Sequence, residues 1–145
     1  MKPITPLLTV DAIILYNDSI VLIKRINEPF KDQYALPGGF VDIGETTEKA
    51  VIREAKEETN LDVKIIKLLN VYSEPSRDPR GHTVTLAYLV KGEGILMSGS
   101  DAKSIELFKY NQIPKNLAFD HNKIIHNNIS VISHNIPTTT IRSYI

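Results

Sequence analysis

The chain has 145 residues, with seventeen basic and seventeen acidic side chains and no cysteine. That length suits one domain, residues 1–145, burying roughly two-thirds of its unfolded surface, and the balanced charge leaves no footprint for a nucleic-acid backbone or an anionic membrane. Without cysteine there is neither a disulfide framework nor a thiolate metal site, so a metal would be held by oxygen or histidine and a cytoplasmic setting is expected.

The first nineteen residues carry two prolines and an apolar run broken by Asp11, a pattern that fits neither a signal peptide nor a membrane span. Residues 10–16 and 20–24 are isoleucine-rich runs separated by Asn17, Asp18 and Ser19, which is turn chemistry, and together they predict a hairpin. Residues 27–34 read as a loop, and Leu36-Pro37-Gly38-Gly39 punctuates the chain. Thr46 is the expected N-cap of a helix over residues 47–59, with Ala50, Val51, Ile52 and Ala55 as its apolar positions. Asn60 is expected to end that helix in the left-handed conformation. Strands are predicted over residues 63–72 and 83–90, joined by a polar loop, with a shorter strand over 105–110. Ile124, Ile125, Ile129 and Ile132 fall near helical spacing, which predicts one closing helix from Phe119 to about Ile132.

The predicted helix over 47–59 carries Glu54, Glu57 and Glu58, which at 100° per residue share an arc of about 100° and can converge on one point. Like charges four apart, as in Glu54 and Glu58, cost an isolated helix roughly 0.2–0.5 kcal/mol. An ordinary helix of this composition would present them as a solvated face, with Arg53 and Glu57 as an i,i+4 pair. The alternative is a half-cage for a hard divalent cation, which prefers oxygen ligands and retains several waters. Gly38-Gly39 just upstream favours that alternative, because glycine lets backbone approach a ligand closely.

Residues 39–61, GFVDIGETTEKAVIREAKEETNL, resemble the Nudix box: Gly39, Glu45, Arg53, Glu54, Glu57, Glu58 and Leu61 stand at its spacing, and Ala55 is its small apolar residue. Asn60 departs from the usual glycine, a change that preserves the turn because asparagine tolerates the left-handed region. The resemblance implies an α/β fold, an α/β/α sandwich with a mixed β-sheet, and metal-dependent hydrolysis of a nucleoside diphosphate linked to another moiety. It implies Mg²⁺ or Mn²⁺ as cofactor, Glu57 and Glu58 as principal ligands, Glu54 as a further ligand or base, and the Gly38 carbonyl as an extra ligand. Arg53 would orient the glutamates, and Glu45 would brace the loop against the helix.

Two segments outside the box resemble small ADP-ribose pyrophosphatases. One is residues 72–82, where Arg77 and Arg80 are candidate phosphate or ribose contacts because guanidinium forks match such oxygens. The other is LAFDH, residues 117–121, with Phe119 expected in the core, Asp120 as an N-cap and His121 facing the cleft. Lys24 and Arg25 are candidate phosphate contacts too, and alternation along a strand allows at most one to face the site. Relatives often carry an added acid before the last strand, for which Asp101 is the best match and Glu93 and Glu106 are alternatives. The implied reaction is ADP-ribose to AMP and ribose 5-phosphate. Alternatives are a housecleaning nucleoside triphosphate pyrophosphatase and a non-catalytic ADP-ribose sensor. The 24 residues after His121 are too few for a DNA-binding module. Homodimerisation is frequent in the subfamily, though no stretch here marks an interface.

Overall fold

The computed structural model describes residues 2–99 and 102–137. Its framework is a seven-stranded mixed sheet in the order Tyr34–Ala35, Ser19–Arg25, Leu7–Tyr16, Thr83–Glu93 and Asp62–Tyr72, with Gly38–Phe40 pairing Leu7–Tyr16 and Ala102–Phe108 pairing Ser19–Arg25. The expected hairpin is present as β1, Leu7–Tyr16, and β2, Ser19–Arg25, so Ser19 joins the strand and the turn shortens to Asn17 and Asp18. Asn17 takes the left-handed φ of 56° that a tight hairpin requires. Two short strands follow, β3 at Tyr34–Ala35 and β4 at Gly38–Phe40. Then come the helix α1, Thr47–Thr59, and the long pair β5, Asp62–Tyr72, and β6, Thr83–Glu93. The last strand, β7, spans Ala102–Phe108, earlier than the 105–110 expected.

β1 is the hub. It runs parallel to β6 from Leu7 opposite Thr83 to Leu15 opposite Lys91, and antiparallel to β2 and β4. A central strand covered on both faces reads as a continuous apolar run, and the two-residue period then divides it between two cores. Val10, Ala12 and Ile14 pack with Ala50, Val51 and Ala55 of α1. Ile13 and Leu15 pack with Ile124, Ile125 and Ile132 on the other side. This is the expected α/β/α sandwich. Complete burial of a side chain such as Val51 is worth about 1.5–3 kcal/mol.

α1 has the predicted bounds and caps. The Thr46 side chain accepts the Lys49 N–H at 3.1 Å, and Asn60 ends the helix at φ 66° with its N–H donating to Lys56 O. Ile52 is half-exposed and contributes little to the core. The closing helix differs from expectation. It is two short helices, α2 over His121–Asn127 and α3 over Ile129–His134, broken at Asn128. There the Asn128 side chain donates to Ile124 O at 2.7 Å and toward the Tyr72 hydroxyl at 3.3 Å. An asparagine side chain competing for a helix carbonyl is a known breaker, and apolar spacing cannot reveal it.

Candidate active site

A cleft of about 450 Å³ opens beside β4 and α1, and its lining includes Asp11, Gly38, Gly39, Glu54 and Glu58. The Gly39 backbone lies close to the Glu54 carboxylate, which a Cβ there would meet at 2.5 Å unless that flexible side chain moved. Glu58 is buried at 8% exposure, and one of its carboxylate oxygens accepts the Gly38 N–H at 3.3 Å. Two carboxylates and a glycine-rich backbone therefore meet on one cleft wall. Oxygen donors of this kind suit a hard divalent cation better than a soft one.

Glu57 departs from the expected convergence. It is 56% exposed and turned toward Arg53, whose Nη1 donates to both of its oxygens at 3.2–3.3 Å. Among the described residues no three acids or histidines are grouped closely enough to hold a metal in this arrangement. Arg53 organises the rest: Nη1 also reaches Glu54 at 2.9 Å, Nε and Nη2 fork onto Glu45 at 2.7 and 2.9 Å, and Nη2 donates to Phe40 O. Those Glu45 contacts, followed by those to Glu54 and Glu57, push the Arg53 guanidinium pKa up. The Arg53 fork, helped by the Asp42 N–H, holds the Glu45 carboxyl down at about 2. Glu45 thus ties the entry loop to α1, as the resemblance implied.

The cleft floor is a buried polar network that the motifs did not reveal. Asp11 accepts from the Thr85 hydroxyl at 2.6 Å, faces His121 Nε2 at 3.4 Å, and lies 3.8 Å from Arg77. Burial pushes the Asp11 carboxyl up, but His121, Thr85 and Arg77 together outweigh that and hold it below the usual range. His121 Nδ1 accepts the Leu36 N–H at 2.9 Å, so the ring proton belongs on Nε2, pointing at Asp11. Both imidazole nitrogens are engaged within the protein. His121 therefore lines the cleft as expected, but as a buried ring held by these two contacts.

Arg77 also borders the cleft, but its guanidinium is committed to partners within the protein. Its side chain is 4% exposed, its Nε and Nη2 fork onto Asp120 at 2.9 and 2.7 Å, and its Nη1 donates to Thr83 at 2.8 Å. Asp120 makes no capping hydrogen bond to α2, because its carboxylate serves this fork instead. Of the two cations ending β2, Arg25 lines the cleft and Lys24 does not; Lys24 Nζ lies over the Tyr34 ring at 5.6 Å. Arg80 also lines the cleft, half-exposed, forked onto Asp78 at 2.8 and 3.1 Å. Burial raises the Asp78 carboxyl pKa, and the Arg80 contacts more than reverse this.

Phe119 is partly buried, packed against the small core cluster of Ile23, Ala35, Ala102 and Ala118, and it also reaches the cleft. Its backbone sits at φ 54°, with the guanidinium carbons of Arg25 and Arg80 5.0 and 5.6 Å from its ring centre and Phe30 edge-on at 4.8 Å. A bulky residue held at positive φ costs of order 1–3 kcal/mol, and such residues cluster at functional sites. Asp101 lies outside the described residues. The alternatives Glu93 and Glu106, at the end of β6 and on β7, do not line the cleft. Asp11 was legible only as a charge inside an apolar run, and an acid is rarely buried without partners.

A family model for the NUDIX domain matches residues 5–127. The chain belongs to the Nudix family. It is 54% identical over 121 residues to an ADP-ribose pyrophosphatase of Methanocaldococcus jannaschii, covering 83% of this chain and 71% of that protein. Its fold matches the NUDIX domain of Shewanella oneidensis NrtR, solved in complex with ADP ribose, with a TM-score of 0.78 and 29% identity, covering 88% of this chain and 89% of the other. It also matches a bifunctional NMN adenylyltransferase/ADP ribose pyrophosphatase of Francisella tularensis, solved with AMP and a Mn ion. That match has a TM-score of 0.72 and 28% identity and covers 88% of this chain, which spans only 42% of the longer protein.

Proposed function

We propose that this Nudix domain hydrolyses the pyrophosphate of ADP-ribose, giving AMP and ribose 5-phosphate, with Mg²⁺ or Mn²⁺ as cofactor. The observation that carries the reading is the meeting of Glu54, Glu58 and the Gly38-Gly39 backbone on one wall of a cleft bordered by Arg25, Arg80 and Phe119. The 54% identity to an ADP-ribose pyrophosphatase supports the substrate. When bound, a divalent cation would offset charge on the non-bridging phosphate oxygens and lower the pKa of the attacking water.

Glu54, Glu58 and the Gly38 carbonyl would hold the cation, joined by Glu57, whose exposed side chain is not locked by packing. Arg53 keeps Glu54 oriented and limits repulsion along the acidic face. In the reaction the water oxygen bonds to one phosphorus, the bridging P–O bond breaks and one proton is released. The candidates for that proton are Glu54, on the cleft wall, and Asp101, by its resemblance to the family pattern. Arg80 and Arg25 suit the substrate side: guanidinium planes beside the Phe119 ring form a flat platform on which a nucleobase can stack, and their charge suits phosphate. Arg77 and His121 act differently from substrate contacts, Arg77 by holding the loop onto α2 and His121 by holding the Leu36 backbone. Lys24, over Tyr34, is left outside the site.

The test is a nucleotide panel with Mg²⁺, reading AMP and phosphate products. ADP-ribose should exceed every nucleoside triphosphate at least tenfold in kcat/KM, roughly 1.4 kcal/mol of transition-state binding. A triphosphate as best substrate would overturn the substrate assignment and favour the housecleaning alternative. Binding of ADP-ribose without turnover would favour the sensor.

A further inference from the structure

Glu54, Glu57 and Glu58 sit in the last two turns of α1, so whatever fixes that end of the helix fixes them. The last carbonyls of a helix lack intrahelical partners and take them from elsewhere. Here residues 95–99, between β6 and β7, supply them. Met97 N–H donates to Thr59 O at 3.0 Å and Gly99 N–H to Glu58 O at 3.1 Å. The Asn60 side chain reaches back to Ile95 O at 2.9 Å. At Gly99 the two backbones touch: a Cβ there would lie 2.0 Å from Glu57 O and 3.3 Å from the Glu58 Cα. Both neighbours are backbone atoms, which cannot swing aside as a flexible side chain would.

We propose that residues 95–99 are a strap that positions Glu57 and Glu58 for the cation, with Gly99 and Asn60 as its two positioning residues. The proposal rests on the cation reading above. It also accounts for the one departure from the box pattern. A glycine at position 60 would serve the left-handed turn at least as well, but only a side chain can hold Ile95 O. Gly99 is required for close approach, since any larger residue must push the strap and the end of α1 apart. Positioning errors near 1 Å are enough to degrade a preorganised site.

The test uses Mn²⁺ alone, with free ion counted by electron paramagnetic resonance, on the wild-type chain and four variants. Gly99→Ala should weaken Mn²⁺ binding at least fivefold and lower kcat, while KM for ADP-ribose changes less than twofold and far-UV dichroism is retained. Asn60→Gly, which keeps the turn and loses the bond to Ile95, should weaken Mn²⁺ binding two- to threefold. Ile132→Val, fully buried on α3 and remote from α1, should lose thermal stability and leave Mn²⁺ affinity at the wild-type value. Asn60→Gly at wild-type affinity would overturn the strap, and does so even if Gly99→Ala fails to fold. A folded Gly99→Ala within twofold of wild type would overturn it as well. Equal weakening in Ile132→Val would reduce the effect to general destabilisation and overturn the strap too. A wild-type chain that binds no Mn²⁺ would refute the cation reading first and the strap with it, whereas wild-type binding abolished by Glu58→Gln isolates the strap as the question.

Discussion

Replacing Arg77 by alanine tests the assignment that separates structure from substrate most sharply. The residue was a candidate substrate contact by sequence, yet its guanidinium is 4% exposed and makes three hydrogen bonds within the protein, two to Asp120 and one to Thr83. Removing one partner of a buried ion pair costs about 3–5 kcal/mol, because the remaining charge is left without compensation. Asp120 keeps 17% of its surface and can regain some water, so the lower end, about 3 kcal/mol, is the expectation. Asp11 also loses a cation 3.8 Å away, which prevents the cost from falling much lower. At about 2–4 °C per kcal/mol for a chain of this size, Tm should drop by roughly 6–12 °C.

The assay is thermal unfolding with a double-mutant cycle against Asp120→Asn, which should return a coupling of at least about 1 kcal/mol. Arg77→Lys should recover less than half of the loss, since an ammonium cannot reproduce a fork onto Asp120 with a third bond to Thr83. KM for ADP-ribose in the folded fraction should stay within about threefold of wild type, a loss of only about 0.6 kcal/mol in uniform binding. A Tm within about 2 °C of wild type, together with a large rise in KM, would refute the reasoning and return Arg77 to the substrate.

Arg80→Ala is the complement at the cleft: Arg80 is half-exposed but its partner Asp78 is buried, so the change should cost the fold about 1–3 kcal/mol while raising KM for ADP-ribose more than it lowers kcat, checked by thermal unfolding and steady-state kinetics. Glu58→Gln should lower kcat by at least about a hundredfold, roughly 2.7 kcal/mol, with the fold intact by circular dichroism. Glu48→Gln, on the exposed face of the same helix, should fall within about 0.5 kcal/mol of wild type in stability and leave kcat unchanged. Exhaustive chelation should abolish hydrolysis, and Mg²⁺ at about 100 times its Kd should stabilise the protein by about 2.7 kcal/mol if it binds only the folded state. Glu45 has a folded value of about 2 against an ordinary 4.5, so its contribution is fully present above pH 4.5 and lost as pH falls toward 2. Glu45→Gln should flatten the acid limb of a stability-versus-pH curve in that window.

Much of the scaffold was legible because its determinants are local. Thr46, the apolar positions of α1 and Asn60 specify a capped helix from neighbours within four residues, and its bounds matched. The hairpin of β1 and β2 is set the same way, by a turn and two apolar runs. What the sequence concealed depends on partners far along the chain. Asp120 looked like an N-cap because it precedes a helix, but an arginine 43 positions away claims its carboxylate. Phe119 looked like core by its apolarity and does pack against a small cluster, but its positive φ and two guanidinium neighbours also place it at the cleft. Glu57 shares the helical arc of Glu54 and Glu58, but periodicity places Cβ atoms and not carboxylates, and Arg53 draws its carboxylate aside. Asn128 breaks the last helix through its own side chain while leaving the isoleucine spacing intact.

The two halves of the site depend on one strand. Even-numbered residues of β1 from Val10 to Ile14 support α1 and hence the acids, while Asp11, on the alternate side, holds His121 and borders Gly38. A two-residue period makes these roles inseparable: a slip of one residue would turn Asp11 toward the α1 core and Val10 toward His121. Nine paired positions with β6 on one edge and the β4 register, Asp11 opposite Gly38, on the other oppose such a slip. Asp11→Asn should therefore keep the register, since the amide can still accept from Thr85, while weakening the charge complement of Arg77 and the acceptor that faces His121 Nε2. Its effect should appear as lost stability together with a looser residue 36–38 segment, read as faster amide exchange at Leu36, whose N–H is held by His121. Unchanged exchange at Leu36 in a destabilised Asp11→Asn protein would show that His121 keeps its place without the aspartate, and would leave the β4 register alone to hold the glycines against the cleft.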